Sequence, residues 1–420
     1  MMEGFFSEKE IKSISRPDGK SLSCVSCGLY KDCQTGKMQK PYGKFKKKIL
    51  IVGEAPGEKE DEVNRPWQGR AGRLLSVTLT NLGIDLFGDC TSINAVNCRP
   101  MDKNGENRPP TNFEVDCCRK YVMRAIEDLK PELIILLGTS AVYSVIGHRW
   151  KKDLGTITRW RGWTIPDQDF KAWICPTFHP SYILRTIQGK SPSKVESVIW
   201  EQDLKKAFTL GKHSFPVHKE PKIHIIEDLS ILAELEFYKP VMEDLPCFAF
   251  DYETTGIKPH AEGHRIICAS IAINENEAYV FLMPPTKRER QPFVDLLVNP
   301  EIGKIAQNMK YENAWSKVRL KIDVESWVWD TMIASHIFDN RQKITGLKFQ
   351  VYVQFGIIDY SSEVDVFIHA SDPKNSNSMN KILDMLQTPS GKEKLLKYCG
   401  YDSIYEYRLA VKQMENFLPF

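Results

Sequence analysis

Short, uninterrupted apolar runs in the first half of the chain place the strongest constraint on its fold. The runs span Lys48–Gly53, Ser92–Asn97, Glu132–Gly138 and Ala172–Phe178. Helical spacing between them predicts helices at Ala71–Leu82, Asn112–Leu129 and Thr139–Ile146. Strands that are apolar on both faces are typical of a parallel sheet covered by helices on both sides. We therefore predict a three-layer α/β/α doubly wound domain, with ligands beyond the carboxyl ends of the strands.

The second half of the chain follows a different pattern. Three β-rich runs succeed one another with short gaps, at Pro246–Gly256, Arg265–Ile273 and Glu277–Met283. This order predicts an antiparallel meander, and the segment from residue 307 onward is predicted to be mainly helical. The stretch "KHSFPVHKEP" loses periodicity and gathers Pro, His and Lys, as linkers do. We divide the chain into a first domain at 1–211, a linker at 212–221 and a second α/β domain at 222–420.

Composition and charge are those of a folded, soluble protein. A chain of 420 residues with 42% apolar and 26% charged residues fits two or three domains. The net charge of +3 requires any site for a polyanion to be a local patch. No run of about 18 apolar residues occurs, and the N-terminal segment lacks the pattern of a signal peptide, so we expect a cytoplasmic protein.

The cysteines are concentrated near the front of the chain. Eight of the 11 lie between Cys24 and Cys175. In a reducing cytosol such a set is more typical of metal binding than of disulfides. A CxxC pair is followed by Cys98 and by the adjacent Cys117 and Cys118. Four thiolates suit zinc or an iron–sulfur cluster, and the spacing alone leaves both possible.

The order of motifs from about Cys24 to Arg185 resembles that of the family 4 uracil-DNA glycosylases. In chain order these motifs are CxxC, GEAPG, "RPWQGRAGRLL", an Asn before "CRP", "RPPT" and "HPSYILR". The resemblance implies that a [4Fe–4S] cluster is held by Cys24, Cys27, Cys98 and Cys118. It also implies that the substrate is DNA containing uracil.

A base inside a duplex must be flipped into a pocket before its glycosidic bond can be reached. The resemblance implies that Trp67 stacks on the uracil, while Asn94 reads its edge beside Gly53. It further implies that His179 donates to the uracil O2 oxygen and that Glu54 positions the attacking water.

Further residues are assigned supporting roles by the same resemblance. Ser181 and Arg185 are expected to contact DNA, with "SYILR" supplying an apolar wedge. Glu60 and Asp61 are expected to hold the GEAPG loop in place.

Two positions depart from the family pattern. The family usually has Phe where this chain has Trp67, and a small apolar residue where it has Gln68. An alternative interpretation is therefore that this half recognises a base, or binds a partner, without catalysis.

A set of acidic residues in the second half suggests a metal centre. Asp251 and Glu253 lie two apart in a predicted strand, so their side chains share one face. Paired carboxylates of this kind bind Mg²⁺ or Mn²⁺. Tyr398 and Asp402 are separated by one helical turn and also share a face.

The segments "FDYETTG", "AQNMKYENAW" and "YCGYD" resemble the three motifs of DEDD-type 3′–5′ exonucleases, in particular the proofreading domain of A-family DNA polymerases. The resemblance covers about Pro221 to the end and implies a ribonuclease H-like fold. It implies that Tyr398 orients the attacking water and that two Mg²⁺ or Mn²⁺ ions are held by Asp251, Glu253, Glu312 and Asp402. Glu312 replaces the usual Asp, so we expect activity that is retained but weakened.

The sequence thus predicts a DNA repair or replication factor with two hydrolase activities, of the kind expected in a phage. The expected partners are DNA and a separately encoded DNA polymerase. In the alternative hypothesis the chain is a proofreading subunit, or the front part of an A-family polymerase.

Overall fold

The computed structural model describes residues 22–34, 38–188, 192–210, 214–240, 245–369, 372, 374–375 and 377–417. The chain divides into two compact units, Met1–Pro216 and Val217–Phe420. Their boundary lies inside the predicted linker, of which residues 212–213 fall outside the described part. None of the helices in the described part combines the length and the apolar character needed to cross a membrane.

The first unit is built on one six-stranded sheet. Its strands are β1 (Tyr42–Gly43), β2 (Ile49–Gly53), β3 (Cys90–Asn94), β4 (Leu133–Leu137), β5 (Ile165–Asp167) and β6 (Ala172–Thr177). The strand order is β1-β3-β2-β4-β6-β5. The four central strands are parallel, and the two edge strands β1 and β5 pair antiparallel to their neighbours. This sheet confirms the predicted doubly wound domain and adds the two short edge strands.

Eight helices of the first unit are described. They are α1 (Cys24–Cys27), α2 (Glu58–Val63), α3 (Arg70–Asn81), α4 (Asn112–Leu129), α5 (Thr139–Val145), α6 (Ile157–Trp160), α7 (Pro180–Gln188) and α8 (Val195–Thr209). Helices α3 and α8 pack on one face of the sheet in an apolar core around Ile51 and Ile135. Helices α4 and α5 contact β2, β3 and β4. Because successive side chains of a strand alternate between faces, these fully buried strands are apolar throughout.

The second unit contains a mixed six-stranded sheet. Its strands are β7 (Lys222–Ile225), β8 (Cys247–Thr254), β9 (Ile266–Asn274), β10 (Glu277–Leu282), β11 (Gly303–Ala306) and β12 (Trp327–Asp330). The strand order is β12-β11-β8-β9-β10-β7. Strands β8, β9 and β10 form the predicted antiparallel meander, whereas β12, β11 and β8 run parallel. Strand β12 lies in the segment predicted to be mainly helical, so that prediction was incomplete.

The helices of the second unit cover both faces of its sheet. They are α9 (Gln291–Val298), α10 (Met309–Trp315), α11 (Thr331–Phe338), α12 (Leu347–Phe355), α13 (Ser362–Ile368), α14 (Ile382–Met385) and α15 (Pro389–Phe417). On one face an aromatic core joins Phe250 and Phe281 to Phe293 of α9 and Trp315 of α10. On the other face α15 packs along β8 and β9. The long helix α15 therefore runs beside the strand that carries the predicted acidic pair.

Candidate active sites

The GEAPG loop leaves the carboxyl end of β2 and meets the end of β3. Gly53 ends β2 and pairs with Asn94, the last residue of β3. A Cβ atom at Gly53 would lie 2.4 Å from the Asn94 Oδ1 and 2.9 Å from the Trp67 Cζ2. Any side chain at this position would separate the two residues. Glycine is thus required for Asn94 and Trp67 to meet at the strand ends.

Trp67 is held by an unusual backbone conformation. Its φ angle is 62°, in the left-handed region. A Cβ atom at Gly72 of α3 would lie 2.0 Å from the Trp67 carbonyl oxygen, so this approach also requires glycine. The indole lies 5.8 Å from the His179 ring, with an angle of 30° between the planes. Its Nε1 is buried and has no hydrogen-bond partner among the described residues.

His179 follows β6 and is oriented by the first turn of α7. Its Nδ1 accepts a hydrogen bond from the backbone N–H of Ser181 at 3.2 Å and lies 2.8 Å from the Ser181 Oγ. Because Nδ1 accepts the backbone bond, the neutral ring carries its proton on Nε2. Burial, assisted by the nearby Arg185, lowers the pKa of His179 to about 4. The ring is therefore a neutral donor through Nε2.

Glu54 lies beside this group on the same loop. The Ser140 hydroxyl, in the first turn of α5, donates to its Oε2 at 3.1 Å. Burial raises the pKa of Glu54, whereas Ser140 and Arg185 lower it. A carboxylate with a raised pKa is a stronger base than an ordinary glutamate.

The acidic residues after the GEAPG sequence hold the loop, as predicted. The Glu60 carboxylate accepts from the backbone N–H of Gly57 at 3.2 Å and of Gly69 at 2.8 Å. Asp61 is buried and accepts from the backbone N–H of Gln34 at 3.0 Å. The Glu60 bonds join two parts of the loop, and the Asp61 bond fastens the loop to the preceding segment at Gln34.

The predicted DNA contacts have internal partners in this structure. The Ser181 hydroxyl is shared between His179 and Arg185, whose Nη1 lies 3.4 Å away. Ile183 is fully buried, so "SYILR" presents Tyr182 to solvent rather than a continuous apolar wedge. The roles of Ser181 and Arg185 in binding DNA stay predictions.

The structure brings three of the four predicted cluster cysteines into one apolar cluster, and Cys24 lies on the same short helix as one of the three. Cys24 and Cys27 lie on α1, which Ser23 caps and which ends at Gly28 with a φ of 78°. Cys98 and Cys118 of α4 are buried in one apolar cluster against which Cys27 also packs, together with the spare Cys33.

The environment of these sulfurs suits soft metal ligands. Burial, together with the neighbouring Cys33, Cys118 and Cys27, raises the pKa of the Cys98 thiol. The Tyr121 hydroxyl lies 3.5 Å from the Cys24 Sγ, and the Gln39 amide donates to that sulfur at 3.7 Å. An all-sulfur set with polar donors around it fits an iron–sulfur cluster or zinc.

In the second unit Asp251, Glu253 and Asp402 form one compact group. Each offers a carboxylate oxygen, and these oxygens lie within 4.8 Å of one another. Among the described residues, this is the one group of three potential metal ligands that meets this spacing. Burial, followed by mutual repulsion, raises the pKa of Asp251 and of Glu253 well above the ordinary range. Such a site favours a bound cation.

A lysine and two tyrosines adjoin this group. The Lys348 Nζ, on α12, forms a hydrogen bond with the Asp402 Oδ1, which also accepts from the Tyr360 hydroxyl at 2.6 Å. The same ammonium lies 4.4 Å from the Tyr360 ring centroid and 4.3 Å from that of Tyr398. Tyr398 is thus close to the acidic group, as predicted, and packs against a cation.

Glu312, the fourth predicted ligand, lies on α10 outside the compact group. It is 2% exposed, and its Oε2 has no hydrogen-bond partner among the described residues. Burial and then the nearby Asp251 raise its pKa well above the ordinary range. Asp330, at the end of β12, fixes this helix by accepting from the backbone N–H groups of Asn308 at 3.1 Å and Met309 at 3.0 Å.

Comparison with known proteins assigns the first unit to a family. Residues 40–202 match the family model described as the uracil DNA glycosylase superfamily. The chain is 36% identical over 166 residues to the type-4 uracil-DNA glycosylase of Pyrobaculum aerophilum, covering 39% of this chain and 80% of that protein. The chain belongs to the type-4 uracil-DNA glycosylase family. The Thermotoga maritima member is 40% identical over 144 residues, covering 34% of this chain and 69% of that protein.

The glycosylase domain is joined to a 3′–5′ exonuclease domain. Residues 223–416 match the family model described as 3′–5′ exonuclease. The second unit has the predicted α/β character, with a six-stranded mixed sheet and helices. A DNA polymerase of Bacillus phage SP01 is 24% identical over 335 residues, covering 73% of this chain but only 34% of the polymerase. Among solved structures, Brucella melitensis NrnC matches with a TM-score of 0.31 and 19% identity, covering 47% of this chain and 81% of NrnC.

Sequence reasoning missed several residues of both sites. Ser140 lies at the carboxyl end of β4, where a polar side chain beside a ligand site is expected, so this signal was present. No signal in the sequence pointed to Lys348 or Tyr360, because both contact Asp402 from segments that are distant along the chain.

Proposed function

We propose that the glycosylase domain hydrolyses the N-glycosidic bond of uracil in DNA. The observation that carries this proposal is the convergence of Trp67, Asn94 and His179 around Gly53. A flipped base needs an amide that reads its edge and a donor for the charge that develops on its carbonyl oxygen. Asn94 supplies the amide, and the Nε2 proton of neutral His179 supplies the donor.

In this proposal Glu54 accepts a proton from the attacking water. Its raised pKa makes it a better base, and the Ser140 hydroxyl holds the carboxylate in place. The test is incubation of the full chain with uracil-containing single- and double-stranded DNA in EDTA, which silences a metal-dependent nuclease. We expect alkali-labile abasic sites at uracil positions, and their absence would contradict the proposal.

For the second domain we propose removal of nucleotides from DNA 3′ ends with two Mg²⁺ or Mn²⁺ ions. The carboxylate group of Asp251, Glu253 and Asp402 carries this proposal, because its oxygens are spaced and charged for hard cations. Bound ions would activate water and stabilise the leaving 3′ oxygen. Tyr398 would orient that water, while Lys348 offsets part of the negative charge. Release of nucleotides from 3′-blocked and unblocked DNA in Mg²⁺ tests the polarity, and digestion of both would contradict it.

For the cysteines we propose a [4Fe–4S] cluster held by Cys24, Cys27, Cys98 and Cys118. Cys98 and Cys118 are buried in one apolar cluster against which Cys27 packs, and polar groups of Tyr121 and Gln39 lie beside the Cys24 sulfur. The similarity to the type-4 uracil-DNA glycosylases favours an iron–sulfur cluster over zinc. A brown protein with absorbance near 400 nm would support the cluster, and a colourless protein containing zinc would contradict it. The matched pair of variants is Cys98→Ser, expected to lose the absorbance, and Cys33→Ser, expected to keep it.

A second candidate function is supported by the relative from Bacillus phage SP01. Its similarity extends over most of this chain within a longer DNA polymerase. We therefore propose that the exonuclease proofreads for a DNA polymerase, in the same chain or a separate one. In the alternative version the glycosylase domain recognises a base without excising it, and the Trp67 indole packed on His179 favours that version. Binding of uracil-containing DNA without abasic product would distinguish recognition from catalysis.

A further inference from the structure

Glu406 is a buried carboxylate that no role described so far explains. It follows Tyr398 by two turns and Asp402 by one turn on α15, so the three side chains lie along one stripe of the helix. Glu406 is 1% exposed, and its Oε2 has no hydrogen-bond partner among the described residues. A buried carboxylate without a partner is costly, so this side chain requires a physical explanation.

The surroundings of Glu406 are mostly negative. After burial itself, the groups that raise its pKa well above the ordinary range are Asp251, Glu312 and Asp402, and Lys348 opposes them. Glu312 resembles Glu406 in this respect, since its Oε2 is also buried and has no hydrogen-bond partner among the described residues. Glu312 on α10 and Glu406 on α15 thus each have a buried, unpartnered carboxylate oxygen, and both carboxylates interact electrostatically with Asp251.

The charges of the whole group can be counted. The carboxylates of Asp251, Glu253, Glu312, Asp402 and Glu406 carry five negative charges when ionised, and Lys348 returns one positive charge. The remaining four charges equal those of two divalent cations. Hard oxygen ligands are the ones that such cations prefer.

We propose that Glu406 is a fifth carboxylate ligand of the metal centre and binds the second divalent ion together with Glu312. This inference rests on the proposed exonuclease function and deepens it. Glu406 lies one turn from Asp402 on α15, and its carboxylate interacts electrostatically with Glu312 of α10. In this proposal the two unpartnered carboxylate oxygens complete the ligand set of the second ion.

Manganese binding by the full chain tests this assignment. Chelator-treated protein is titrated with Mn²⁺, which prefers oxygen ligands to thiolates, by calorimetry and by electron paramagnetic resonance. We expect two Mn²⁺ per chain in the wild type. Glu406→Gln and Glu406→Met should each weaken the second site at least about tenfold, which corresponds to about 1.4 kcal/mol. Glu415→Gln, an exposed acid on the same helix, is the matched control and should bind both ions normally.

Thermal unfolding in EDTA shows whether the variants fold. Both should be at least as stable as the wild type without metal, since each removes a buried, repelled carboxylate. Undiminished binding of the second Mn²⁺ by folded Glu406→Gln and Glu406→Met would overturn the proposal, as would a wild type that binds one ion only. The variant Asp251→Asn distinguishes a failure of the proposed exonuclease site from a failure of the proposed role of Glu406. If it binds Mn²⁺ like the wild type, the exonuclease site itself is misassigned, whereas failure confined to the Glu406 variants leaves that site intact.

Discussion

Burial favours the neutral forms of titratable groups in both active sites, but the charges around those groups differ. In the glycosylase domain burial favours the neutral forms of His179 and Glu54, and each has a nearby partner that orients it. In the exonuclease domain burial gathers carboxylates that repel one another, with Lys348 as the cation beside them. Desolvation alone therefore does not determine the chemistry of a site. The net charge of the buried groups decides whether a site can function without a bound metal ion, as we propose for the glycosylase domain, or requires one, as we propose for the exonuclease domain.

The largest expected effect tests the dependence of the second site on metal. Asp251→Asn removes a ligand at the centre of the carboxylate group, so digestion of DNA 3′ ends in Mg²⁺ should fall by about 10³-fold or more. Base release in EDTA should be unchanged within about twofold, because that site contains no residue of the group. The exposed Asp295→Asn is the control, and digestion that persists in Asp251→Asn would contradict the metal assignment.

The next effect tests the neutral donor of the first site. His179→Ala should slow uracil release by about 10²- to 10³-fold, the usual loss when a preorganised donor to a developing oxyanion is removed. Ser181→Ala keeps the backbone N–H on Nδ1 and loses only the hydroxyl contact, so its loss should be about tenfold or less. Equal losses in the two variants would show that the hydroxyl, rather than the backbone bond, sets the tautomer. Nuclease activity should be normal in both.

A third prediction concerns pH. Glu54 must be ionised to accept a proton from water, and its raised pKa moves the loss of activity to higher pH than for an ordinary glutamate. The kcat/KM for uracil release should therefore fall about tenfold per pH unit below the Glu54 pKa. Protonation of His179 adds nothing until pH approaches about 4, where its pKa lies. Glu54→Gln should be slow and show no such slope, and a slope that survives this substitution would implicate another group.

The smallest effect concerns Trp67, one of the two positions predicted to depart from the family pattern. Trp67→Phe removes a buried N–H that has no partner but also loses apolar contacts, so the two effects oppose each other and the free energy of unfolding should change by no more than about 1 kcal/mol. The smaller ring also frees space beside His179, and base release should increase a few-fold. Trp200→Phe removes another buried, unpartnered indole N–H in the core and should leave base release unchanged. Slower release by Trp67→Phe would show that the indole itself holds the base.

Local patterns in the sequence predicted most of the central strands of both domains. The apolar runs became β2, β3, β4 and β6, and the alternation of Asp251 and Glu253 placed both side chains on one face. These features depend on a few neighbouring residues, whose periodicity is visible in the chain.

Features that depend on distant segments were not predictable in the same way. Strand β7 pairs with β10, which lies more than fifty residues further along, and Lys348 reaches Asp402 from another helix. Strand β12 has four residues at a sheet edge, too few to show a period. The stacking of Trp67 on His179 also depends on a left-handed backbone conformation at residue 67. The residue type at that position does not predict this conformation.

Asp330 has a wider consequence for the exonuclease domain. Besides Asn308 and Met309 at the start of α10, its Oδ1 accepts from the backbone N–H groups of Met332 at 2.9 Å and Ile333 at 3.1 Å in α11. One carboxylate thus fastens the first turns of two helices. The position of Glu312 therefore depends on Asp330, which is not itself a proposed metal ligand, so a substitution of Asp330 would misalign the metal site while leaving every proposed ligand unchanged.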